Sequence, residues 1–128
     1  MIIIGALLIL LSGVAEAIMD KLQFHFHESV FSTMKSTNWW NPYKSWKNKW
    51  KNGDKSQGEK FLFSSTLFVF TTDAWHLFKF VRNLLLFTCW IPVIILLDSI
   101  WFTLLTVALY RILYGVGFYF TYNKFTVK

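Results

Sequence analysis

The hydrophobic positions of this chain form two long apolar stretches, Met1 to Leu11 and Phe61 to Tyr122, separated by a more polar segment. A helix of about 20 apolar residues crosses a hydrocarbon core of about 30 Å. We therefore predict an all-α integral membrane protein. Its first segment, residues 1–31, holds a helix expected from Ile2 to about Leu22, with an extension to Phe31 as the longer alternative.

The second apolar stretch, residues 61–122, has room for three helices of about 20 residues or two of about 30. Breaks are expected at Lys79 to Asn83, at Pro92 and at Asp98-Ser99, where Asp98 can cap a new helix. Two crossings in this stretch would return the lysine-containing tail, residues 123–128, to the side of the basic segment. We expect three transmembrane helices in total, with four as the alternative.

Residues 32–60 form a basic, Trp-rich connection between the apolar stretches. Asn41-Pro42 is a typical helix start, an N-cap followed by proline at the first helical position, and Gly53 is a typical helix stop. Three aromatic residues between them recur at positions i, i+3 and i+7: Tyr43, Trp46 and Trp50. Lysines occupy much of the other face, so we predict a short amphipathic helix in the membrane interface.

This connection carries seven of the 13 basic side chains, in a chain with a net charge of +6. The basic residues and the aromatic anchors favour anionic lipid headgroups as partners. We assign headgroup binding to Trp46, Trp50, Lys47 and Lys51. An aromatic surface packed on the protein itself is the alternative interpretation.

The charge distribution also predicts the orientation. Positively charged loops prefer the cytoplasm, which places the basic connection there and the N-terminus outside, in a plasma or inner membrane.

No nucleic-acid-binding motif accompanies the lysines, so nucleic acid is not expected as a partner. Ala15-Glu16-Ala17 resembles a signal-peptide cleavage site, but no Lys or Arg precedes the apolar run, which favours a membrane helix.

Composition limits the possible classes of protein. The 128 residues amount to one domain, and 55% of them are apolar and 20% aromatic, which is typical of a protein in lipid. The single cysteine, Cys89, excludes a disulfide within one chain and a cysteine-based metal site.

The first helix carries polar residues on one face. Glu16, Asp20, Gln23 and His27 project within about 60° of one another at 100° per residue, whereas His25 does not. Polar groups inside a membrane need partners, and ionisable residues there usually belong to a functional site. A second polar cluster, Asp73 and His76, is spaced three residues apart and enters the membrane from the same side.

If the two clusters meet, they form a site of three carboxylates and two imidazoles. We predict that Asp20, His27, Asp73 and His76 bind a divalent transition metal (Zn²⁺, Mn²⁺ or Fe²⁺). Glu16 would be the catalytic general base. No HExxH or CxxC motif is present, and the alternative is that these residues only hold the helices together.

Arg111 shares a helix face with Tyr114, Phe118 and Tyr122. Its guanidinium suits a lipid phosphate, so we add Arg111 to the predicted headgroup-binding residues. A carboxylate partner within the protein, and an ordinary aromatic belt with a snorkelling arginine, are the alternatives.

Three functions follow from these patterns. The first is a metal-dependent membrane enzyme that acts on a lipid or a lipid-linked phosphate. The second is an oligomeric transporter or channel for protons or metal ions that uses the same residues. The third is a non-catalytic accessory subunit of a larger membrane complex, or a lipid-binding adaptor, whose carboxylates are all paired.

Overall fold

A computed structural model describes residues 2–95 and 99–125. Asp98, the predicted helix cap, and the end of the predicted tail lie outside these residues. Within the described ranges the chain is helical, without a β-strand. The α-helices, in chain order, are α1 (Ile2–Phe24), α2 (Thr37–Trp40), α3 (Pro42–Ser45), α4 (Ala74–Thr88), α5 (Ile91–Ile95) and α6 (Ile100–Lys124).

Three of the described helical spans are long and apolar enough to cross a membrane: Ile2–Phe24, Ala74–Ile95 and Ile100–Lys124. This number agrees with the preferred prediction and is consistent with a membrane location. Large apolar side chains on all three spans stay exposed, for example Leu7, Phe87 and Leu105. An apolar solvent would cover such side chains without penalty.

The bounds of two helices differ from the sequence prediction. Helix α1 ends at Phe24, and two 3₁₀ turns, Phe26–Glu28 and Val30–Thr33, replace the expected extension to Phe31. Helix α4 begins only at Ala74, because residues 61–72 form turns that end in the 3₁₀ turn Val69–Thr71. The expected break at Lys79 to Asn83 is absent, and α4 continues through it.

The predicted start of a helix at Asn41 is present, but the amphipathic helix that should follow is not confirmed. The Asn41 side chain accepts a hydrogen bond from the Tyr43 N–H at 2.9 Å, and Pro42 is the first residue of α3. The α-helical conformation ends at Ser45. The backbone is then extended at Trp50 (φ −111°, ψ 149°) and left-handed at Asn52 (φ 52°), which prevents a helix up to Gly53.

The chain divides into two compact units, of which the first comprises Met1–Ala17 and Val81–Lys124. Its core is formed by one residue of α1, two from the α4–α5 region and one of α6: Ile9, Cys89, Val93 and Tyr110. Two glycines let backbones approach closely. A Cβ on Gly13 would overlap the Tyr114 carbonyl oxygen, and a Cβ on Gly117 would overlap the Leu10 carbonyl oxygen.

The second unit comprises Ile18–Phe80 and Phe125–Lys128. Phe31 stacks on Trp40 with ring centroids 5.0 Å apart and contacts Phe125 at 5.2 Å. The Val30 N–H donates to the Phe125 carbonyl at 3.2 Å. Several polar residues of this unit are buried: Ser29, Asn41, Ser45, Ser64, Thr72 and Asp73.

The close contact at Gly117 gives a stability prediction. Gly117→Ala should lower the free energy of unfolding in detergent by about 1 to 3 kcal/mol, because the new methyl group meets backbone that cannot rotate away. Gly115 lies two residues away on α6 and has open space around its Cβ position. Gly115→Ala should therefore leave stability unchanged or raise it by up to about 1 kcal/mol. Equal losses in both variants would contradict the close packing.

Candidate functional site

Asp73 occupies the position immediately before α4 and caps that helix. Its Oδ1 accepts a hydrogen bond from the backbone N–H of His76, three residues later, at 2.9 Å. This is the N-cap geometry, which satisfies one of the free N–H groups in the first turn. Asp73 is only 2% exposed. A carboxylate buried to this extent needs partners for both oxygens.

The second oxygen of Asp73 contacts the His76 ring. Oδ2 lies 2.7 Å from His76 Nδ1 and 3.3 Å from the Thr72 hydroxyl. An ionised carboxylate accepts hydrogen bonds only, so a neutral imidazole in this contact would carry its proton on Nδ1. The neutral ring then carries its lone pair on Nε2, and Nε2 can accept a proton from another molecule.

His76 and Asp73 line a cavity of about 240 Å³ in the second unit. The other lining residues are Gln23, Pro42, Ser45, Trp46 and Trp75. The Trp75 ring meets the His76 ring edge-on at 5.0 Å, and the Lys79 ammonium lies 4.8 Å from the centre of the Trp75 ring. The cavity thus combines an imidazole and a carboxylate with two tryptophans, Trp46 and Trp75, and three smaller or polar residues.

The structure brings together only part of the predicted metal site. Asp73 and His76 are in contact, whereas the His27 ring stacks against Tyr43 with centroids 6.2 Å apart. Asp20 has an interaction partner. Across residues 2–95 and 99–125, no group of three or more His, Cys, Asp or Glu side chains could hold a metal ion. The metal role assigned to Asp20, His27, Asp73 and His76 therefore has no support in the described geometry.

Glu16, the predicted general base, forms an ion pair with Arg82 of α4 in the first unit. The Tyr114 hydroxyl also interacts with the Glu16 carboxylate. Arg82 is held in turn by Asn83, whose Oδ1 accepts from Nε at 3.1 Å and from Nη2 at 2.9 Å. Both partners of the ion pair lie on spans of membrane-crossing length, where an unpaired charge is costly.

Sequence reasoning missed Arg82 as the partner of Glu16 and considered a carboxylate partner for Arg111 instead. One signal was available, because the chain has only two arginines and both lie in the second apolar stretch. An arginine in such a stretch needs an anion. Which basic residue faces Glu16 depends on how α1 and α4 are rotated about their axes, and the sequence does not give that rotation.

Arg111 has no carboxylate partner in the described part of the chain. Its guanidinium lies 5.9 Å from the centre of the Tyr114 ring. It also borders a cavity of about 380 Å³ in the first unit, together with Ile9, Leu86, Trp90, Val107, Tyr110 and Tyr114. An arginine beside an apolar groove fits the predicted role in lipid binding without testing it.

The four predicted headgroup-binding residues of the connection lie at or near its surface. Trp46 is 44% exposed, and the Lys47 ammonium lies 5.7 Å from the centre of its ring. Lys51 is exposed and Trp50 partly exposed, with the Lys55 ammonium 5.9 Å from the Trp50 ring. Trp46 also lines the cavity of Asp73 and His76. One aromatic side chain thus connects the predicted headgroup surface with the candidate site.

Glu59 stabilises the turn at Phe63 to Ser65 by hydrogen bonds. Phe63 has a positive φ of 59°, which is unfavourable for a bulky residue. The Glu59 carboxylate accepts the Phe63 N–H at 2.9 Å, the Ser65 N–H at 3.0 Å and the Ser65 hydroxyl. These hydrogen bonds, the one from the Ser65 hydroxyl most of all, lower the pKa of Glu59 below its ordinary value of 4.5.

No protein-family model, curated protein or solved structure matches this chain. The function must therefore be argued from the site itself.

The Glu16–Arg82 pair predicts a measurable coupling between α1 and α4. A double-mutant cycle with Glu16→Gln and Arg82→Gln should give a coupling energy of about 0.6 to 2 kcal/mol, measured by unfolding in mixed micelles. Arg82→Leu alone should lower stability by about 3 kcal/mol, because Glu16 loses its cationic partner. Lys79→Gln, which removes a charge from the same helix, is the control. A coupling energy of zero would contradict the pair.

The turn at Glu59 should be sensitive to acid. Because folding lowers the pKa of this carboxyl, its stabilising effect is fully present above pH 4.5 and is lost as pH falls through the lowered value. Amide hydrogen exchange at Phe63 and Ser65, corrected for intrinsic rates, should be faster at pH 3 than at pH 6. Glu59→Gln should remove most of this difference, whereas Glu28→Gln should leave it intact. Equal protection at both pH values would refute the role of Glu59.

Proposed function

We propose that this protein is a small membrane enzyme that hydrolyses an ester bond of a lipid-type substrate, with Asp73 and His76 as its general base. The observation that carries the proposal is the contact of 2.7 Å between the buried Asp73 carboxylate and His76 Nδ1, at a histidine that lines a cavity. A carboxylate that orients an imidazole in this way is the recurring arrangement for proton abstraction.

The reaction uses the second nitrogen of the imidazole. His76 Nε2 removes a proton from a water molecule in the cavity, and the water oxygen attacks the carbonyl carbon or phosphorus of the ester. The bond to the leaving oxygen breaks, and that oxygen takes the proton back from the imidazolium. Asp73 stays ionised throughout and stabilises the positive ring. The products are an acid and an alcohol.

The residues around Asp73 and His76 support a lipid as the substrate. Asp73 directly precedes the span that begins at Ala74, and two tryptophans, Trp46 and Trp75, line the cavity. We propose that the three apolar spans cross the membrane with the basic connection on the cytoplasmic side, where Lys47 and Lys51 meet anionic headgroups. The ester bond of an interfacial lipid would then reach the cavity without leaving the membrane.

A transition metal (Zn²⁺, Mn²⁺ or Fe²⁺) on these residues is a separate version of the same proposal. Asp73 and His76 together offer fewer protein ligands than a catalytic zinc site normally has, which is three. The hydrolysis described above requires only the two side chains. A chelator distinguishes the versions, because only metal-dependent hydrolysis is lost in EDTA and restored by the metal.

A non-catalytic accessory subunit is the second candidate, favoured by a different observation. Glu16 pairs with Arg82 and Asp73 with His76, and Asp20 also has a partner. Internal pairing of all three carboxylates is what a structural role expects. This candidate predicts no hydrolysis by the pure protein.

Asp73→Asn provides the sharpest test, because asparagine caps a helix as well as aspartate but cannot hold the imidazolium. The variant should keep the melting temperature of the unmodified protein in nanodiscs. Its hydrolysis of phospholipid and polyprenyl-phosphate esters, followed by mass spectrometry of the products, should fall about 10²- to 10⁴-fold. His76→Gln should lose a similar factor.

His25→Gln is the matched control, since His25 is a partly exposed histidine that does not line the cavity and forms an ion pair with Glu28 at 3.5 Å. It should hydrolyse the substrates at the rate of the unmodified protein. Full activity in Asp73→Asn or His76→Gln would overturn the proposed base. If the unmodified protein hydrolyses neither class of ester, with or without added metal, the enzyme proposal fails and the accessory role is favoured.

A further inference from the structure

The largest cavity described in the second unit is lined by two lysines, Lys35 and Lys60. Its volume is about 440 Å³. The remaining lining residues are Ser36, Thr37, Asn38, Trp39, Asn48, Phe61, Thr71 and Thr72. We propose that this cavity binds a phosphate group, carried by an anionic phospholipid or present as free phosphate.

The charge of the lining is the first argument. Both ionisable side chains of the cavity are cationic, and no Asp or Glu lines it. Neither Lys35 nor Lys60 takes part in an ion pair within the described residues. Two lysines line one cavity that no carboxylate lines, and an anion of charge −1 or −2 would interact favourably with both.

The rigidity of the walls is the second argument. The Asn48 side-chain amide donates to the Asn38 carbonyl at 2.7 Å and to the Thr72 carbonyl at 2.9 Å, which joins segments 24 residues apart. The Lys60 backbone N–H donates to the Lys49 carbonyl at 3.0 Å. The cavity is thus held open by hydrogen bonds on two sides, and a ligand need not order it on binding.

The hydroxyl groups divide into two roles. Thr71 and Thr72 donate to the Phe68 and Val69 carbonyls at 2.8 and 2.7 Å, so their protons are used within the wall. Ser36 and Thr37 make no such bond in the described structure, and each offers a donor to a phosphate oxygen. The lining thus offers two ammonium groups and two hydroxyl groups as donors to the oxygens of a phosphate.

The aromatic residues at the cavity favour the membrane interface as its location. Trp39 is partly exposed and Phe61 is 42% exposed. Tryptophan is enriched at the level of lipid headgroups. Neither Asp73 nor His76 lines this cavity, although Thr72, which does, lies 3.3 Å from the Asp73 carboxylate. Phosphate binding here does not require the proposed hydrolysis.

The test compares two double variants with the same loss of charge. Lys35→Gln with Lys60→Gln alters the cavity, whereas Lys44→Gln with Lys55→Gln removes two charges from the same connection outside it. Native mass spectrometry of the full chain, with added phosphatidylglycerol or phosphatidylcholine, measures lipid retention. Titration with inorganic phosphate, followed by NMR at the Thr37 and Lys60 amides, measures binding of the free anion.

We expect the unmodified protein to retain phosphatidylglycerol in preference to phosphatidylcholine. The cavity variant should lose at least about tenfold in affinity, and the control less than about twofold. Phosphate binding without lipid preference would identify the free anion as the ligand, provided that the cavity variant abolishes it. The proposal is overturned if neither ligand binds the unmodified protein, or if both double variants lose affinity equally, since general charge attraction would then account for the binding.

Discussion

A carboxylate buried at the start of a long apolar helix constrains the structure around it more than any other group. Both oxygens of the buried Asp73 carboxylate need partners, and His76 supplies the two shorter contacts, through its backbone N–H and its ring. The first contact starts α4 at Ala74, and the second fixes the imidazole. Helix capping and the proposed proton chemistry thus depend on the same side chain, and Trp46 and Trp75 line the cavity beside it.

In the first unit, the Glu16 carboxylate also needs partners, and residues of other helices supply them. Glu16 finds its counter-charge on α4 in Arg82, and Tyr114 of α6 also contacts that carboxylate. Close approach at Gly13 and Gly117 brings the α1 and α6 backbones together. In lipid, such packing and polar contacts hold helices together, because burial of apolar surface offers little gain there.

The features that were predicted correctly from the sequence are those that depend on a local pattern of residues. The three spans follow from apolar length, the Asn41 cap from its dipeptide with proline, and the Asp73–His76 contact from the spacing of three residues. The features that were missed depend on backbone conformation or on how one helix is rotated against another. The choice of Arg82 depends on helix rotation. The α-helix ends at Ser45, and the backbone is extended at Trp50 and left-handed at Asn52, whereas a helical-wheel projection assumes helical backbone throughout.

The tautomer of His76 tests the central claim most directly. In protein labelled with ¹⁵N at histidine and held in nanodiscs above pH 8, the ring nitrogens should show a protonated Nδ1 and an unprotonated Nε2. Asp73→Asn should abolish this preference while α4 remains folded. A His76 ring that carries its proton on Nε2 in the unmodified protein, or that exchanges freely between tautomers, would contradict the account, because Nε2 could not then act as the oriented base.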